Sequence, residues 1–416
     1  MPRRLPALSP IFWLAADMER RVLYVRPPMM EGNGVRAYSN RIIEAFCRYG
    51  DGRYVLVDAS DCLTGDPVTP NRLALQLGSR LADLVKQESA ALVFAEMGVG
   101  DFQVFHSLRG LKAVAPEIAT LVTVHDPPRT VVNLNPIFNP YQDIVAVRAV
   151  RWLYNRTIGG SIERDFISQG HHWILLSEKG KQLWMKRLNV IRPDHPLLVM
   201  QHINYHDSLM EMPARLPNRP VRLGVLGSIT KSKGIDILIA ALGHLAQKGL
   251  LMDGLLVEIA GVPLFRQDHQ YLEELKRQVN CLGLASNVHF AGYIPDDALP
   301  GFFERIDLLV LPYRETGSGS ASGPLMWARS FGVPAIAART RNLPEMIKDN
   351  VDGVLFFPGD VRELADCLHV FSQSPMLERL RAGARQRCVE NSWPVCVAKL
   401  TALFDQITTA GNGIPT

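Results

Sequence analysis

The sequence predicts an α/β protein built from two doubly wound domains with parallel sheets. Short runs rich in Val, Ile and Leu alternate with amphipathic segments along nearly the whole chain, and runs that are apolar on both faces suit strands buried in a parallel sheet. A segment with three prolines between Met212 and Pro220 separates two such series. The 416 residues also fit two domains of roughly 100–200 residues each.

The strands fall into two series, one on each side of the proline-rich segment. The first series is predicted at Val22–Val25, Tyr54–Val57, Ala91–Phe94, Leu121–Val124 and Trp173–Leu176. The second is predicted at Val221–Gly227, Leu256–Ala260, Val288–Phe290, Leu308–Leu311, Ala335–Ala337 and Gly353–Phe356. We therefore expect one Rossmann-like domain over residues 1–210 and another over residues 211–395. A terminal helix and short tail would follow over residues 396–416.

Composition narrows the class of protein. A net charge of +4 does not argue for nucleic acid as a partner. No run of about 18 apolar residues is present, which excludes a spanning helix of that kind, and the start of the chain resembles a signal peptide only superficially. The six cysteines form no C-x-x-C pair and no cluster with metal spacing. We expect them to be buried, reduced side chains, and we expect no metal site.

Two loops of the first series carry candidate site residues. The loop Glu31–Arg36 holds Gly34, where a glycine lets the backbone approach a ligand at the start of a helix. His125 follows the strand Leu121–Val124, and ligands of open parallel sheets bind beyond the carboxyl ends of strands. A glycine placed for steric reasons and a structural histidine remain the open alternatives.

The loop Gly227–Gly234 is a candidate anion site in the second series. It follows a strand, precedes a helix expected at Ile235–Leu245, and carries Ser228, Lys231 and Lys233. Cationic side chains at a helix N-terminus attract phosphate. The spacing is not that of a P-loop, so a solvated turn is the alternative.

A longer loop of Gly and Ser follows the strand Leu308–Leu311. A helix is expected to begin near Pro324, a favoured first-turn residue. The exposed amides of small residues can wrap a diphosphate, which makes Ser322, Gly323 and Leu325 candidate donor-binding residues. A flexible surface loop is the alternative interpretation.

Taken in order, these blocks resemble the retaining glycosyltransferases of sequence family four, which have the GT-B fold and are typified by bacterial mannosyl- and glucosyltransferases. The blocks that match are the N-terminal glycine loop, Thr123–Asp126, Ile174–Ser177, Gln201–Asn204, Gly227–Gly234, Phe290–Pro295, Leu343–Glu345, Asp352–Gly353, Pro358–Asp360 and Asn391–Trp393. The resemblance covers nearly the whole chain and implies that the terminal helix returns to brace the first domain.

The chain departs from the family pattern at two places. The Glu-x7-Glu motif of the family falls on Gly319 and Trp327, so both carboxylates are missing there. The loop is about three residues longer than usual, which gives Glu315 a route to the place of the first carboxylate. The phosphate loop also lacks its usual arginine, and Lys231 is the candidate substitute.

The resemblance implies transfer of a sugar from a nucleotide diphosphate sugar to an acceptor hydroxyl, in bacterial polysaccharide or glycolipid assembly. His125 would lie near the transferred sugar, with Glu315 as the second catalytic candidate. No cofactor and no metal are expected; the partners are the nucleotide-sugar donor and a sugar or lipid-linked acceptor. The open alternatives are a degenerate GT-B subunit and a GT-B nucleotide-sugar epimerase. The donor base, the sugar and the linkage stay undetermined.

The segment Asp143–Arg156 has an apolar stripe at helical spacing, formed by Ile144, Val147, Val150, Leu153 and Tyr154, with Arg148 and Arg151 off the stripe. Packing onto its own domain is the preferred interpretation. The alternative is an interfacial helix that docks a cytoplasmic protein on the anionic inner face of the plasma membrane.

Overall fold

The computed structural model describes residues 19–27, 34–63, 68–98, 101–128, 135, 145–188, 197–200, 219–252, 254–263, 266–388 and 392–410. Within these ranges the chain forms two six-stranded sheets in which every strand pair is parallel. Helices flank both sheets. The predicted fold class is confirmed, because helix-covered parallel sheets of this kind are doubly wound α/β structures.

The first sheet has the strand order β2-β1-β3-β4-β5-β6. Its strands are β1 (Arg20–Val25), β2 (Tyr54–Asp58), β3 (Leu92–Met97), β4 (Thr120–Val124), β5 (His172–Leu175) and β6 (Leu197–Val199). The helices of this part are α1 (Gly34–Tyr49), α2 (Pro70–Gln87), α3 (Phe102–Val114), α4 (Val145–Tyr154), α5 (Gly160–Ser168) and α6 (Glu178–Leu188).

The second sheet has the strand order β12-β11-β10-β7-β8-β9. Its strands are β7 (Arg222–Leu226), β8 (Leu256–Ala260), β9 (Val288–Gly292), β10 (Leu308–Leu311), β11 (Ala335–Ala338) and β12 (Gly353–Phe356). The helices that follow are α7 (Ile235–Gln247), α8 (Arg266–Cys281), α9 (Leu299–Arg305), α10 (Gly323–Ser330), α11 (Leu343–Met346), α12 (Val361–Phe371), α13 (Ser374–Cys388) and α14 (Trp393–Ala410).

Each sheet reverses its strand order once. The reversal lies between β1 and β3 in the first sheet and between β7 and β10 in the second. Loops diverge at such a switch point and leave a crevice at the carboxyl ends of the strands, where ligands of open α/β sheets bind. The fold thus predicts which loops form the site.

The last helix packs on the first sheet, far from its neighbours in sequence. Phe404 of α14 is fully buried and its ring lies 5.8 Å from that of Phe46 and 5.7 Å from that of Phe94. Tyr54 of β2 donates a hydrogen bond of 2.9 Å to Asp405. The burial of this apolar face gives α14 its place, since short helices owe most of their stability to packing. The domain bounds themselves stay a prediction, and the segment 201–218 lies outside the described residues.

The structure corrects two smaller expectations. The strand β6 was missed, because it has three residues and lies half-buried at the sheet edge. Cys47 and Cys281 are exposed rather than buried, because they lie on the outer faces of helices. None of the described helices is both long enough and apolar enough to cross a membrane.

Two side chains of the predicted apolar stripe, Val150 and Leu153, do not pack onto their own domain as expected, while Ile144 lies outside the described residues. Val150 and Leu153 are 56% and 57% exposed, and Trp152 beside them is 61% exposed. Tyr154, at the end of the helix, packs against the core below the first sheet. The prediction of an inward-facing stripe is wrong for Val150 and Leu153 because the helix turns Tyr154, and not its centre, toward that core.

Candidate functional site

The loop after β7 has the backbone of a close-packed anion loop. Gly227 has φ +123° and Gly234 has φ +65°, both in the left-handed region. A Cβ on Gly234 would lie 1.9 Å from the carbonyl oxygen of Pro312, so only glycine fits where this loop meets the one after β10. The close approach brings the two loops of the switch point together.

Lys233 extends from this loop to the start of α10. Its Nζ lies 4.1 Å from the centre of the buried Tyr313 ring, and the Tyr313 hydroxyl lies 3.5 Å from the Oγ of Ser322. Burial raises the pKa of Tyr313, but Lys233, Ser322 and Arg341 together outweigh it and lower that pKa below its ordinary value. A fully buried phenol whose pKa is lowered lies in a positive potential, here that of Lys233 and Arg341.

The start of α10 lies in the same potential. Ser322 caps the helix, with its Oγ accepting a hydrogen bond from the amide of Leu325 at 3.4 Å. Pro324 carries no N–H, which leaves Gly323 to supply the amide at the helix start. Tyr313 therefore lies between Lys233 and the start of α10, where Ser322 and Gly323 are found. The amide of Leu325 is engaged in the helix cap, and the side chain of Leu325 is buried.

Lys231 and Ser228 belong to the same loop as Lys233, but Lys231 contacts different residues. The Lys231 carbonyl accepts a hydrogen bond of 3.1 Å from Arg314, and Lys231 lines a groove of about 510 Å³ with Asp236 and Tyr271. Ser228 accepts a backbone hydrogen bond from Thr230 through its carbonyl. The two lysines that the sequence pairs are thus separated, and Lys233 is the one that faces α10.

His125 belongs to a row of buried, hydrogen-bonded polar side chains that runs across β1, β3 and the end of β4. Its Nε2 lies 2.7 Å from the Oε2 of Glu96, and the Tyr24 hydroxyl donates to the Oε1 of Glu96 at 3.0 Å. Glu96 is fully buried, His125 is 7% exposed, and the ring of Tyr38 packs edge-on against the imidazole at 5.2 Å. A buried carboxylate holds the imidazole in one orientation and one protonation pattern.

Glu96 is a site residue that the sequence analysis missed. The signal was available, because an acidic residue in the apolar run Leu92–Met97 must have a partner if it is buried.

The predicted site residue Gly34 is the first residue of α1, and the loop before it lies outside the described residues.

Glu315 lies beside the carboxyl end of β11. Its carboxylate accepts hydrogen bonds from the Gly317 amide at 2.7 Å and the Thr340 hydroxyl at 2.8 Å. Burial raises the pKa of Glu315, but these two hydrogen bonds and the nearby Lys179 charge lower it below its ordinary value. Glu315 is therefore held as a carboxylate at the edge of the cleft.

The loop after β10 also contacts the first domain directly. The Gly319 amide donates to the Pro127 carbonyl at 2.9 Å, and the Ser320 hydroxyl donates to Asp126 at 2.6 Å. A Cβ on Gly319 would lie 2.7 Å from the Cα of Gly180, so the two backbones touch. The segment after His125 is thereby joined to the loop that precedes α10.

A second contact between the two halves of the chain joins α11 to the start of α6. The carboxylate of Glu345 accepts hydrogen bonds from the Glu178 and Lys179 amides at 2.7 and 2.6 Å, at the start of α6. A carboxylate is favoured at this end of a helix.

Trp327 stands where the resemblance expects the second carboxylate of the Glu-x7-Glu motif. It is 6% exposed and stacks with Phe303 and Phe331 at ring distances of 6.4 and 6.3 Å. The position therefore belongs to the core beneath α10. Among the described residues, no group of three or more His, Cys, Asp and Glu side chains is placed to hold a metal ion.

The second half of the chain is similar in sequence to known proteins. Residues 212–391 match the family described as glycosyl transferases group 1. The GDP-mannose-dependent alpha-(1-6)-phosphatidylinositol monomannoside mannosyltransferase of Mycolicibacterium smegmatis is 33% identical over 150 residues, covering 35% of this chain and 37% of that protein. The amylovoran biosynthesis glycosyltransferase AmsK of Erwinia amylovora is 25% identical over 159 residues, covering 38% and 37%. The chain thus spans less than half the length of these relatives.

Solved structures match over almost the whole chain. A sucrose-phosphate synthase from Thermosynechococcus elongatus has a TM-score of 0.68 at 15% identity, covering 94% of this chain and 100% of that one. A glycosyltransferase from Rickettsia africae has a TM-score of 0.67 at 14% identity, covering 94% and 98%. Anabaena HepE in complex with UDP-glucose has a TM-score of 0.61 at 15% identity, covering 92% and 98%. The fold is that of the GT-B glycosyltransferases.

Proposed function

We propose that this chain, whose C-terminal half is similar to group 1 glycosyltransferases, transfers a sugar from a nucleoside diphosphate sugar to an acceptor hydroxyl. The observation that carries the proposal is the positive potential at the switch point of β7 and β10, where Lys233 lies against Tyr313 at the start of α10. A diphosphate leaving group gains negative charge as the glycosidic bond breaks. Fixed cations and amides stabilise that charge most when they are already in place.

The first domain supplies the other side of the reaction. His125 lies at the carboxyl end of β4, and the segment after it contacts the loop that precedes α10. We assign His125 a contact with the transferred sugar, where it would brace a developing oxocarbenium centre. Glu96 would orient it. Retention of configuration and metal independence follow from the family resemblance, with Glu315 as the second catalytic candidate.

The two relatives described above are named for mannosyl transfer to a phosphatidylinositol monomannoside and for amylovoran biosynthesis. HepE has been solved in complex with UDP-glucose. By analogy, we propose a role in bacterial polysaccharide or glycolipid assembly, at the cytoplasmic face of the plasma membrane. The acceptor would be a sugar or a lipid-linked sugar. UDP- and GDP-sugars are both candidate donors.

The exposed face around α4 is the proposed membrane contact. Val150, Trp152, Leu153 and Ile158 are each more than half exposed, although they lie within nine residues of one another. The guanidinium of Arg156 lies over the Trp152 ring at 5.3 Å, and α4 and the turn after it contain no acidic residue. Apolar side chains flanked by arginines suit the interface of an anionic bilayer.

A catalytically degenerate subunit is the second candidate, and the buried Trp327 stack favours it. A panel of UDP- and GDP-sugars with a lipid-linked acceptor separates the two. Release of nucleoside diphosphate that depends on the acceptor, together with a glycosylated product seen by mass spectrometry, supports the transferase. Nucleotide binding without turnover of any donor would leave the subunit. An NMR spectrum of the product's anomeric proton tests retention.

A further inference from the structure

Arg341 occupies a backbone conformation that disfavours its side chain. Its φ is +56°, in the left-handed region that glycine, asparagine and aspartate tolerate best. A long side chain held there is strained, and such strain persists where the surrounding structure imposes it, often at a ligand site. The position therefore needs an explanation beyond the turn itself.

The strained turn aims Arg341 at the proposed donor site. The strand β11 pairs with β10, so the loop after β11 emerges beside the loop that contains Tyr313. The Arg341 guanidinium lies 5.1 Å from the centre of the Tyr313 ring, on which Lys233 also lies. The Nε of Arg341 is buried and has no hydrogen-bond partner in the described part of the chain. Such a donor is one that an acceptor from outside would satisfy.

In the part of the chain that the structure describes, the two cations on Tyr313 have no carboxylate partner of the kind that their neighbours have. Over the residues that the structure describes, no carboxylate lies within 4.0 Å of Lys233 or Arg341. By contrast, Arg339, two residues earlier, pairs with Asp349 at 2.7 Å, and Arg314 pairs with Asp236. The uncompensated charge also lowers the pKa of Tyr313 against its burial.

We propose that Arg341 binds the donor diphosphate jointly with Lys233. In this way it replaces the arginine that is missing from the loop after β7. The planar guanidinium offers paired N–H donors that match two phosphate oxygens, which a lysine does not. The inference rests on the proposed function, since it names the group that holds the leaving diphosphate of that reaction.

The test compares Arg341→Asn with Arg341→Lys and with Arg339→Asn as the matched control. Asparagine tolerates the left-handed backbone, so Arg341→Asn is expected to keep or raise the melting temperature while it removes the charge. Calorimetry with UDP and GDP should show binding about 10- to 100-fold weaker for Arg341→Asn, as for a lost charge-assisted hydrogen bond. Arg341→Lys should lose less, and Arg339→Asn should bind as the wild type does.

Binding of the nucleoside alone is the internal reference, because it has no phosphate for Arg341 to hold. Equal UDP and GDP affinities for Arg341→Asn and the wild type would overturn the inference and leave the proposed function standing. A weakening that extends equally to uridine or guanosine would also overturn it, because the residue would then shape the pocket and not hold the diphosphate. If the wild type binds neither UDP nor GDP, the inference and the proposed function fail together.

Discussion

The Nε2 atom of His125 lies 2.7 Å from the Oε2 atom of Glu96, and both side chains are buried at the carboxyl edge of the first sheet. A buried carboxylate accepts from an imidazole N–H and so fixes which nitrogen carries the proton. The free nitrogen and the ring plane of His125 are then set before any sugar arrives. Catalysis gains from groups that are oriented in advance.

The first prediction concerns this pair. Glu96→Gln keeps the shape but removes the charge and leaves one acceptor oxygen where Tyr24 and His125 each have one, so the imidazole is no longer held in the same way. Turnover should fall roughly tenfold or more while nucleoside diphosphate affinity stays unchanged, as for an interaction made in the transition state. His125→Ala should likewise lower turnover and leave nucleoside diphosphate affinity unchanged. Steady-state kinetics and calorimetry measure the two quantities, with Tyr24→Phe as the control that keeps the carboxylate. Normal turnover in both variants would assign the pair to the core.

The second prediction concerns Lys233. Lys233→Ala removes a cation that lies on Tyr313 beside the start of α10. Nucleoside diphosphate binding should weaken by about 1.5–3 kcal/mol, the range for a charge-assisted hydrogen bond. Lys231→Ala removes the same charge from the neighbouring turn and should lose less. If calorimetry shows equal losses, long-range charge and not a contact of Lys233 sets the affinity.

The third prediction concerns Glu315 in catalysis. Glu315→Gln keeps the loop's size but removes the carboxylate charge at the cleft edge. We expect turnover to fall by roughly tenfold or more if Glu315 takes the place of the family's first carboxylate. A wild-type rate would show that transfer proceeds without this carboxylate.

The same variant tests the pH dependence of stability. The folded pKa of Glu315 is lowered, so its contribution to stability is present above the ordinary value of 4.5 and is lost as pH falls through the folded pKa. Urea denaturation should therefore show wild type more stable than Glu315→Gln at neutral pH. The two curves should converge as the pH falls through the folded pKa of Glu315, below which both side chains are neutral. A stability gap that persists in acid would point to the loop's packing and not to its charge.

The fourth prediction concerns the contact between the two halves. A Cβ on Gly319 would approach the Cα of Gly180 to 2.7 Å, and backbone offers little room to yield. Gly319→Ala should therefore separate the loop after β10 from Pro127 and reduce turnover, with each sheet still folded by circular dichroism. Thr316→Ala, an exposed change in the same loop, serves as the control. Full activity in Gly319→Ala would show that the reaction does not use this contact.

The fifth prediction concerns the membrane. The protein should co-sediment with anionic phospholipid vesicles at low salt and be released at high salt, as the Debye length shortens. Arg151→Glu/Arg156→Glu should abolish binding. Arg379→Glu/Arg385→Glu changes the same charge on α13 and should bind as the wild type does. Sedimentation that ignores both salt and charge reversal would remove the membrane proposal.

The sequence by itself determined the two parallel sheets and the loops that follow their strands. Eleven of the twelve described strands were predictable, because strands buried on both faces require continuous apolar runs such as Leu308–Leu311. The positions of His125 directly after a strand and of Lys233 in the loop between a strand and a helix follow from the same pattern. These are local properties, since each depends on neighbours within one strand, loop and helix.

Only the tertiary structure decided which of those residues meet. It separates Lys231 from Lys233, pairs Glu96 with His125, and brings Arg341 to Tyr313 across 28 residues of chain. It also leaves Val150 and Leu153 exposed, although their helical spacing suggested a buried stripe. Helical periodicity states that a face is apolar but not what covers it. Contacts between loops depend on strand order and on backbone angles such as the +56° at Arg341, neither of which is encoded in the spacing of residues along one segment.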